Sequence, residues 1–474
     1  MATAPATFDF HQVSIRASED KKLQTAVMNA VMRQYTARQT RIQDFPDSEK
    51  IRSLAGEIKQ HTLNHLDYYL EQLQSSVERN GGQVHFASTG EEATRMILNI
   101  ARQAGCTRCI KSKSMVSEEI NLAHSLEEAG MDVVETDLGE FIVQISHDKP
   151  SHLVAPIVHK TKESIAELFS DYFKTPYNDD PEALTMQARA YLREKFRRSD
   201  FGMTGGNFVV AESGHVCVVE NEGNARQSTT TPRVLVSLVG IEKVVPRLVD
   251  LSVMLKLLAR SSTGQPMTIY TSLFGGPRRP GEKDGPDEFH LVLLDNGRSE
   301  ILASEYRETL RCIRCGACLN ACPVYRKIGG HAYGSVYPGP IGALITPLFR
   351  GLETFKDLPN ASSLCGACYE VCPVKINIPK HLVNMRRDIV ARKLNSPFER
   401  FIYRFWARMM GSRRMYGLLT LLQKIDLRRR ARGAGWVEKM PFPAGGWTQI
   451  RSMPAPAKKT FHQLWRTKPT RIDE

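Results

Sequence analysis

Four cysteines at short, regular intervals constrain this chain more than any other feature. The pattern is C-x2-C-x2-C-x3-C-P, and the run reads Cys312-Ile-Arg-Cys315-Gly-Ala-Cys318-Leu-Asn-Ala-Cys322-Pro323. This is the bacterial ferredoxin spacing, in which one tight loop supplies thiolates to several corners of a cubane iron–sulfur cluster. The run therefore predicts a loop that is folded around a cluster, and a role in electron transfer.

A second cysteine motif lies further along the chain and reads Cys365-Gly-Ala-Cys368-Tyr-Glu-Val-Cys372-Pro373. In two-cluster ferredoxins the cysteine before the proline binds the other cluster, so each motif supplies a ligand to its neighbour. Crossed ligation predicts a first [4Fe-4S] cluster with the ligands Cys312, Cys315, Cys318 and Cys372. It predicts a second [4Fe-4S] cluster with the ligands Cys322, Cys365 and Cys368.

The second ligand set lacks one thiolate. Aligning the two Cys-Gly-Ala-Cys segments places Ser362 opposite Cys312, so seven cysteines serve eight cluster corners. The missing ligand is the Ser362 hydroxyl, a water, or a distant or partner-borne group. Without any fourth ligand the second cluster would be [3Fe-4S]. The sequence leaves these alternatives open.

Zinc and disulfides fit the cysteine pattern less well. Zinc sites need four ligands each, and seven cysteines in two proline-terminated motifs do not divide in that way. Disulfide frameworks belong to small secreted domains, whereas these cysteines cluster in one part of a 474-residue chain that shows no signal peptide. Iron–sulfur ligation is therefore the preferred interpretation.

The composition is that of a globular protein, with 42% apolar and 24% charged residues in 474. This length allows two or three domains. No stretch approaches eighteen uninterrupted apolar residues, since even the segment 248–258 contains Asp250 and Lys256. We therefore expect a cytoplasmic protein without a membrane span.

The net positive charge lies in the C-terminal tail. The whole chain carries +13 at pH 7, and residues 391–474 hold 19 Lys and Arg against 5 Asp and Glu. Three roles for this tail remain open: contact with the anionic inner face of the membrane, docking on an acidic partner subunit, or a solvated end. Nucleic acid is not expected as a partner, because no reading motif accompanies the charge.

The remaining chain divides by its hydrophobic patterning. Residues 1–79 have helical spacing, with Leu63, Leu66, Leu70 and Leu73 on one face. From residue 80 onward, short β-rich runs alternate with helical segments, which predicts a mostly parallel sheet covered by helices. With the cysteine region and the tail, the expected division is 1–79, 80–298, 299–390 and 391–474.

Four further motifs are specific to one family. They read Gly202-Met-Thr-Gly-Gly-Asn207, Glu212-Ser-Gly214, Asn221-Glu-Gly-Asn-Ala-Arg226 and Gly240-Ile-Glu-Lys-Val-Val245. Together with the cysteine motifs, they make nearly the whole chain resemble the lactate-utilisation protein B family. The resemblance implies an N-terminal helical region and a lactate-utilisation domain similar to sugar-phosphate isomerase and CoA-transferase-like α/β folds. An α-helical ferredoxin-type two-cluster domain and a basic C-terminal region would follow.

The resemblance also implies a function. The family belongs to a three-protein system that oxidises L-lactate to pyruvate, and this chain would relay electrons through two 4Fe-4S clusters. The implied partners are the other subunits and an electron donor and acceptor, either proteins or a quinone. The family pattern carries the same seven cysteines in the same two sets, so Ser362 is no departure from it.

The chain is expected to be an electron-transfer subunit rather than a complete enzyme. Lactate oxidation releases two electrons and two protons, whereas an iron–sulfur cluster takes up one electron at a time. The dinucleotide-binding pattern G-x-G-x-x-G is absent from the sequence. The lactate-activating step is therefore assigned to a partner subunit.

Two other functions remain open. In the first, the α/β region is itself an enzyme of the transferase or isomerase kind, and the clusters are regulatory. Its candidate catalytic groups are then Glu212, Glu220 or Glu222. In the second, the protein is an assembly scaffold for an oxidoreductase complex, organised by its basic tail. Cluster loss would leave turnover intact in the first case, and tail deletion would disperse the complex in the second.

Overall fold

The described residues begin with helices, and aspartates cap the first two of them. The Asp9 and Asp20 carboxylates accept hydrogen bonds from amides of the turns that follow them. The four helices are α1 (Phe10–Glu19), α2 (Lys21–Gln43), α3 (Ser48–Asn64) and α4 (Leu66–Arg79). The apolar stripe predicted over residues 63–73 spans two of them, because the chain turns at His65 between α3 and α4.

The protein is described by a computed structural model over residues 8–431, 435–441, 444–448 and 451–467. Residues up to Arg392 form one compact unit, and those from Lys393 onward form another. The divisions expected after residues 79 and 298 fall inside the first unit and stay predictions. Within the described ranges, no helix has the length and apolar character that a membrane crossing requires.

Two sheets form the centre of the first unit. Their strands are β1 (Gln83–Ala87), β2 (Arg108–Ser112), β3 (Asp132–Glu135), β4 (Phe201–Thr204), β5 (Phe208–Val210), β6 (His215–Glu220), β7 (Val234–Gly240), β8 (Val244–Val245), β9 (Tyr270–Phe274) and β10 (Glu288–Leu294). The larger sheet has the order β1-β10-β7-β4-β2-β3, and every neighbouring pair in it is parallel. The smaller sheet has the order β8-β5-β6-β9. The parallel sheet predicted from the alternation of elements is confirmed.

Helices cover the larger sheet because its side chains alternate between two hydrophobic cores. The helices are α5 (Gly90–Gln103), α6 (Met115–Glu119), α7 (Leu122–Glu128), α8 (Leu138–Ile145), α9 (Lys162–Phe173), α10 (Pro181–Arg198), α11 (Asn224–Thr230) and α12 (Leu248–Ser262). Along β7, Val236 packs in one core with Ile97 of α5, whereas Leu235 packs in the other core with Leu73 of α4. This is the predicted α/β architecture.

Further helices follow the last strand of the larger sheet. They are α13 (Arg298–Leu302), α14 (Ala317–Ala321), α15 (Tyr325–Ile328), α16 (Gly339–Arg350), α17 (Ala367–Glu370) and α18 (Ile378–Ala391). Turns of 3-10 helix lie at Ile241–Lys243, Arg307–Arg311, His331–Tyr333, Leu358–Asn360 and Ala444–Thr448. The cysteine region is thus helical, as expected.

The second unit contains two long helices and smaller elements. They are α19 (Pro397–Met410), α20 (Arg413–Arg430), β11 (Trp436–Val437), β12 (Met453–Pro454) and α21 (Phe461–Thr467). Its small core consists of Leu427, Ala431 and Val437. On α19, by contrast, Phe401 is 67% exposed and Trp406 is 55% exposed. The unit therefore presents aromatic side chains outside its own core.

Candidate iron–sulfur site

The two cysteine motifs follow the same backbone path. Arg314 and Leu364 both have positive φ angles, of 60° and 55°, although neither is glycine. Two residues later, Gly316 and Gly366 have φ angles of 75° and 87° and begin short helices. Left-handed residues of this kind turn successive amides toward one concave side. Each motif therefore forms a loop that can surround an anionic group.

Backbone amides of these loops donate hydrogen bonds to the cysteine sulfurs. The donor and acceptor pairs are Arg314 N to Cys312 Sγ at 3.4 Å, Tyr325 N to Cys322 Sγ at 3.5 Å and Ile376 N to Cys372 Sγ at 3.3 Å. Hydrogen bonds of this kind stabilise a thiolate and tune a metal centre to which it is bound.

Four cysteines from both motifs meet at one cavity. They are Cys312, Cys315, Cys318 and Cys372, the ligand set predicted for the first cluster. The other walls are mostly apolar and include Leu153, Ile313, Ile341, Val374, Ile376 and Ile378. The first motif supplies three of the sulfurs, and the fourth comes from the second motif. This arrangement matches crossed ligation.

The remaining three motif cysteines form a second group. The Cys368 thiol interacts electrostatically with Cys322 and Cys365, and Cys322 interacts with Cys365. Cys322 and Cys368 are buried, whereas Cys365 is exposed. These three thiols therefore lie within electrostatic range of one another, at a place that reaches the surface through Cys365.

The cysteine sulfurs suit a polynuclear group better than a single ion. All ten cysteines are free, and no three cysteine sulfurs of the described residues lie within 4.8 Å of one another. Sulfurs around one zinc ion would be about 3.8 Å apart, given Zn–S bonds of about 2.3 Å. The cysteine sulfurs are therefore not arranged for a single zinc ion, whereas a cubane accepts one thiolate at each of its separate iron corners.

Burial makes these thiols dependent on a metal for ionisation. It raises the pKa of Cys315 to about 12 and that of Cys372 to about 11. At neutral pH both would hold their protons unless a cation balanced the thiolates. Iron would supply that balance, so the donor set fits an iron–sulfur cluster.

Two buried lysines lie close to the first set. The Lys59 ammonium donates to the backbone oxygens of Glu242 and Val244, and both Lys59 and Lys243 interact electrostatically with the Cys312 thiol. Burial lowers the pKa of Lys59 to about 7 and that of Lys243 to about 8. Their positive charges favour an anionic group at this position.

A buried ion network joins the first cysteine loop to the larger sheet. Arg298, at the start of α13 after β10, contacts the carboxylates of Glu119 (2.9 Å) and Glu242 (2.5 Å). Arg314 contacts Glu242 at 3.6 Å, and its guanidinium lies 4.3 Å from the ring centroid of Tyr337. Glu119 and Glu242 follow the carboxyl ends of β2 and β7. The cysteine loop therefore lies at the sheet edge where open α/β folds bind ligands.

The loop before α9 provides another connection. His152 is buried, its Nε2 lies 3.1 Å from Asn320 Oδ1 on α14, and its Nδ1 accepts from the amides of Val154 and Ala155. Burial lowers the pKa of His152 to about 4. The imidazole is thus neutral and fixes α14 against the α/β fold.

The N-terminal helices support the second motif. Arg38 of α2 donates to the Val371 oxygen, and Arg52 of α3 donates to the oxygens of Glu370 and Cys372. Sequence reasoning missed both arginines, and it also missed Lys59 and the roles of Arg298 and His152. No local spacing marks these positions, because each acts on a segment far away in the chain.

The candidate catalytic glutamates cap helices. Glu212 accepts from the first amide of α12, and Glu222 accepts from the first amide of α8. Glu220 accepts from the amides of Ala225 and Arg226 in the first turn of α11. Carboxylates at helix N-termini satisfy unpaired amides and the helix dipole. These contacts support structural roles for all three.

One compact His and Asp cluster lies outside the cysteine region. The ligand atoms of Asp148, His159 and His331 lie within 4.8 Å of one another. Lys160 contacts Asp148 at 3.0 Å, and the Ser151 hydroxyl lies 2.7 Å from His159 Nδ1. The ammonium neutralises the carboxylate and opposes a second cation there. We interpret this cluster as a polar contact between loops.

Three family models match successive parts of the chain. A LUD domain matches residues 70–294, a 4Fe-4S dicluster domain matches residues 308–376, and the C-terminal region of lactate utilisation protein B matches residues 387–470. The dicluster match supports iron–sulfur cluster binding by the cysteine region.

Relatives of the same length support the same family. Lactate utilization protein B of Shouchella clausii (strain KSM-K16) is 45% identical over 451 residues, which cover 95% of each chain. The protein of that name from Bacillus licheniformis is 44% identical over 463 residues, which cover 97% of each chain. A crystal structure of a DUF162 family protein from Deinococcus radiodurans has 12% identity and a TM-score of 0.27, and covers 48% of this chain and 98% of its own. A likeness that weak supports no conclusion.

The relatives and the three models agree on the order of parts. They confirm the resemblance inferred from the glycine-rich motifs and the paired cysteine runs. The chain belongs to the lactate utilization protein B family.

Proposed function

We propose that the chain is an electron-transfer subunit in the oxidation of L-lactate to pyruvate, with two [4Fe-4S] clusters as its relay. Its relatives are named for lactate utilisation. The observation that carries the proposal is the meeting of four cysteines from two motifs at one apolar cavity. Apolar surroundings exclude water from a redox group and keep its reorganisation small.

The ligand sets follow the crossed arrangement. The first cluster would be held by Cys312, Cys315, Cys318 and Cys372. The second would be held by Cys322, Cys365 and Cys368, with its fourth corner supplied by another group. When bound, each cluster supplies one-electron storage and transfer.

The protein's own groups prepare the first site for an added electron. The amide of Arg314 donates to the Cys312 sulfur, and the Lys59 and Lys243 charges lie near the same thiol. Both interactions stabilise negative charge at the site. The apolar wall, including Ile313 and Ile341, keeps water away.

A partner subunit would activate lactate. Two electrons and two protons leave the substrate, and the cysteine sites supply no group for that step. The three glutamates considered as catalytic groups cap helices instead, which disfavours the enzyme alternative. The relay would accept the electrons singly and deliver them to a protein or quinone.

The second unit is the proposed docking element. Exposed Phe401 and Trp406 alternate with arginines along α19, which suits an acidic partner surface with apolar pockets. An anionic membrane surface would suit the same side chains. We favour the partner subunit, since the proposed relay needs one to supply electrons.

Anaerobic purification with iron and sulfide analysis tests the cofactors. Two [4Fe-4S] clusters require about eight irons per chain, and the double variant Cys315→Ala/Cys318→Ala, which leaves the first site only two thiolates, should lower the count to about four. The matched control is Cys217→Ser, at a buried cysteine of β6, which should retain about eight. Zinc without iron would overturn the proposal.

The relay itself is tested with the chain copurified anaerobically with the subunits that it binds. L-lactate should reduce the clusters, as seen by EPR, while pyruvate accumulates. D-lactate serves as the control substrate. Pyruvate formation at an unchanged rate in the Cys315→Ala/Cys318→Ala complex would contradict a relay role.

A further inference from the structure

We propose that the Ser362 hydroxyl is the fourth protein ligand of the second cluster, so that one iron has an oxygen ligand. The inference rests on the proposed function in one respect, since it requires that the second cysteine group binds a cluster. It goes further by assigning the corner for which the motifs provide no cysteine.

The backbone carries Ser362 along the same path as Cys312. Leu364, two residues after Ser362, has a φ of 55°, and Arg314, two residues after Cys312, has a φ of 60°. Left-handed Gly366 and Gly316 then occupy equivalent positions. Bulky residues adopt positive φ rarely, so its recurrence at the same position of both loops is informative. The two loops are therefore built alike at the position in question.

The side chains make the same hydrogen bond. Ser362 Oγ accepts from the Leu364 amide at 3.1 Å, and Cys312 Sγ accepts from the Arg314 amide at 3.4 Å. The shorter distance is expected for oxygen, whose radius is smaller than that of sulfur. Ser362 Oγ thus takes the place in its loop that a thiolate ligand takes in the other.

The Ser362 backbone is held in place. Arg386 of α18 donates to the Ser362 oxygen at 3.3 Å and to the Pro359 oxygen at 3.0 Å and 2.9 Å. These contacts fasten the loop to α18. A ligand that is fixed before metal binding loses little conformational freedom when it binds.

The other cysteines are too far inside the α/β fold to serve. Cys109 lies in β2 and Cys217 in β6, and both are buried. Cys106 follows α5, and its thiol donates to the Asp200 oxygen at 3.5 Å. Recruiting any of them would break the core of that fold. A distant ligand from this chain is therefore disfavoured.

The ligation step balances without a redox change. The Ser362 O–H bond breaks, an Fe–O bond forms, and the proton passes to solvent, which reaches the neighbouring exposed residues Ser363 and Leu364. The Leu364 amide, already directed at Oγ, stabilises the alkoxide. Metal binding at this position releases one proton.

The test uses the full chain purified anaerobically, with iron and sulfide analysis and Mössbauer spectra of protein enriched in 57Fe. The wild type should hold about eight irons, one of them with an oxygen-ligated signature. Ser362→Cys should keep about eight irons and convert that signature to an all-sulfur one. Ser362→Ala should lose one iron, to about seven, and show the EPR signal of an oxidised three-iron cluster.

Ser363→Ala is the matched control and should behave as the wild type. An unchanged iron count and Mössbauer spectrum in Ser362→Ala would overturn the proposal and leave water or a partner as the ligand. A wild type with about seven irons would also overturn it. A chain without iron in every variant would instead remove the proposed function, so the two failures are distinguishable.

Discussion

His152 is a single side chain whose protonation state is fixed by both ring nitrogens. Its Nδ1 accepts from the amides of Val154 and Ala155, so its Nε2 carries the proton that points to Asn320. A second proton would have to sit at Nδ1, facing two N–H donors. The folded protein therefore keeps the His152 imidazole neutral, and burial lowers the pKa of this group to about 4.

Stability should consequently fall in mild acid. Between pH 6.5 and about 4, the unfolded chain binds a proton at His152 that the folded chain does not, so stability present above pH 6.5 is lost as the pH falls. The full effect is about 3 kcal/mol. His152→Gln should flatten the dependence of the thermal unfolding midpoint on pH, whereas the exposed His124→Gln should not. Parallel slopes in all three proteins would contradict this account.

The charge of Lys243 should affect the reduction potential of the proposed first cluster. The buried Lys243 ammonium lies near Cys312, and removing a positive charge disfavours an added electron. Lys243→Met should lower the potential of the first cluster by tens of millivolts, on the order expected for one nearby charge. The exposed Lys380→Met is the control. EPR-monitored redox titration measures both, and an unchanged potential in Lys243→Met would show that the charge is screened.

The sequence predicted individual ligands but not the residues that surround them. Cys312, Cys315 and Cys318 were recognisable because all three lie in one short loop with a regular spacing. Lys59 and Lys243 come from α3 and from the turn after β7, and only the packing of those elements brings them to the same thiol. No sequence pattern within either segment predicts that the two lysines lie close to Cys312.

The buried ion pairs of Arg298 connect secondary-structure elements. They link the ends of β2 and β7 to the cysteine loop through the shared carboxylate of Glu242. Arg298 is fully buried and contacts Glu119 and Glu242. Arg298→Met should destabilise the first unit by about 3–5 kcal/mol, because two carboxylates would be left buried without their partner. Denaturant unfolding measures the effect.

The control for Arg298 is an exposed pair of the same chemistry. Arg278 contacts Asp287 at 2.7 Å with both side chains about half exposed, so Arg278→Met should cost no more than about 1 kcal/mol. Equal losses in the two variants would mean that burial is not the source of the effect.

Element types followed from the sequence more readily than their boundaries and order. The leucine spacing predicted helix over residues 63–73, and the structure interrupts it at His65, where the amide bonds back to α3 before α4 starts. The alternation of strands and helices predicted a parallel sheet. It could not predict that β10 lies between β1 and β7, since strand order depends on contacts far apart in the chain.

For the whole molecule, the charge and the cysteines belong to different units. All seven motif cysteines lie before Arg392, whereas residues 393–474 carry 18 Lys and Arg against 5 Asp and Glu. Deletion of 393–474 should leave the iron content and EPR spectra unchanged, because the ligands and their supports remain. It should abolish copurification with the proposed partner subunits. Deletion of 468–474 alone is the control, and loss of iron in the longer deletion would contradict the separation.

The cavity that is completed by Cys372 also has a consequence for biosynthesis. A ribosome that has delivered the first motif has not yet delivered the sulfur that closes this cavity, nor the carbonyl that Arg52 of α3 holds. The N-terminal helices and the first three cysteines therefore complete this site only after the segment that contains Cys372 has been synthesised. A cluster at the proposed first site could form only after Cys372 has been synthesised, and a chain terminated before that residue would carry no closed site.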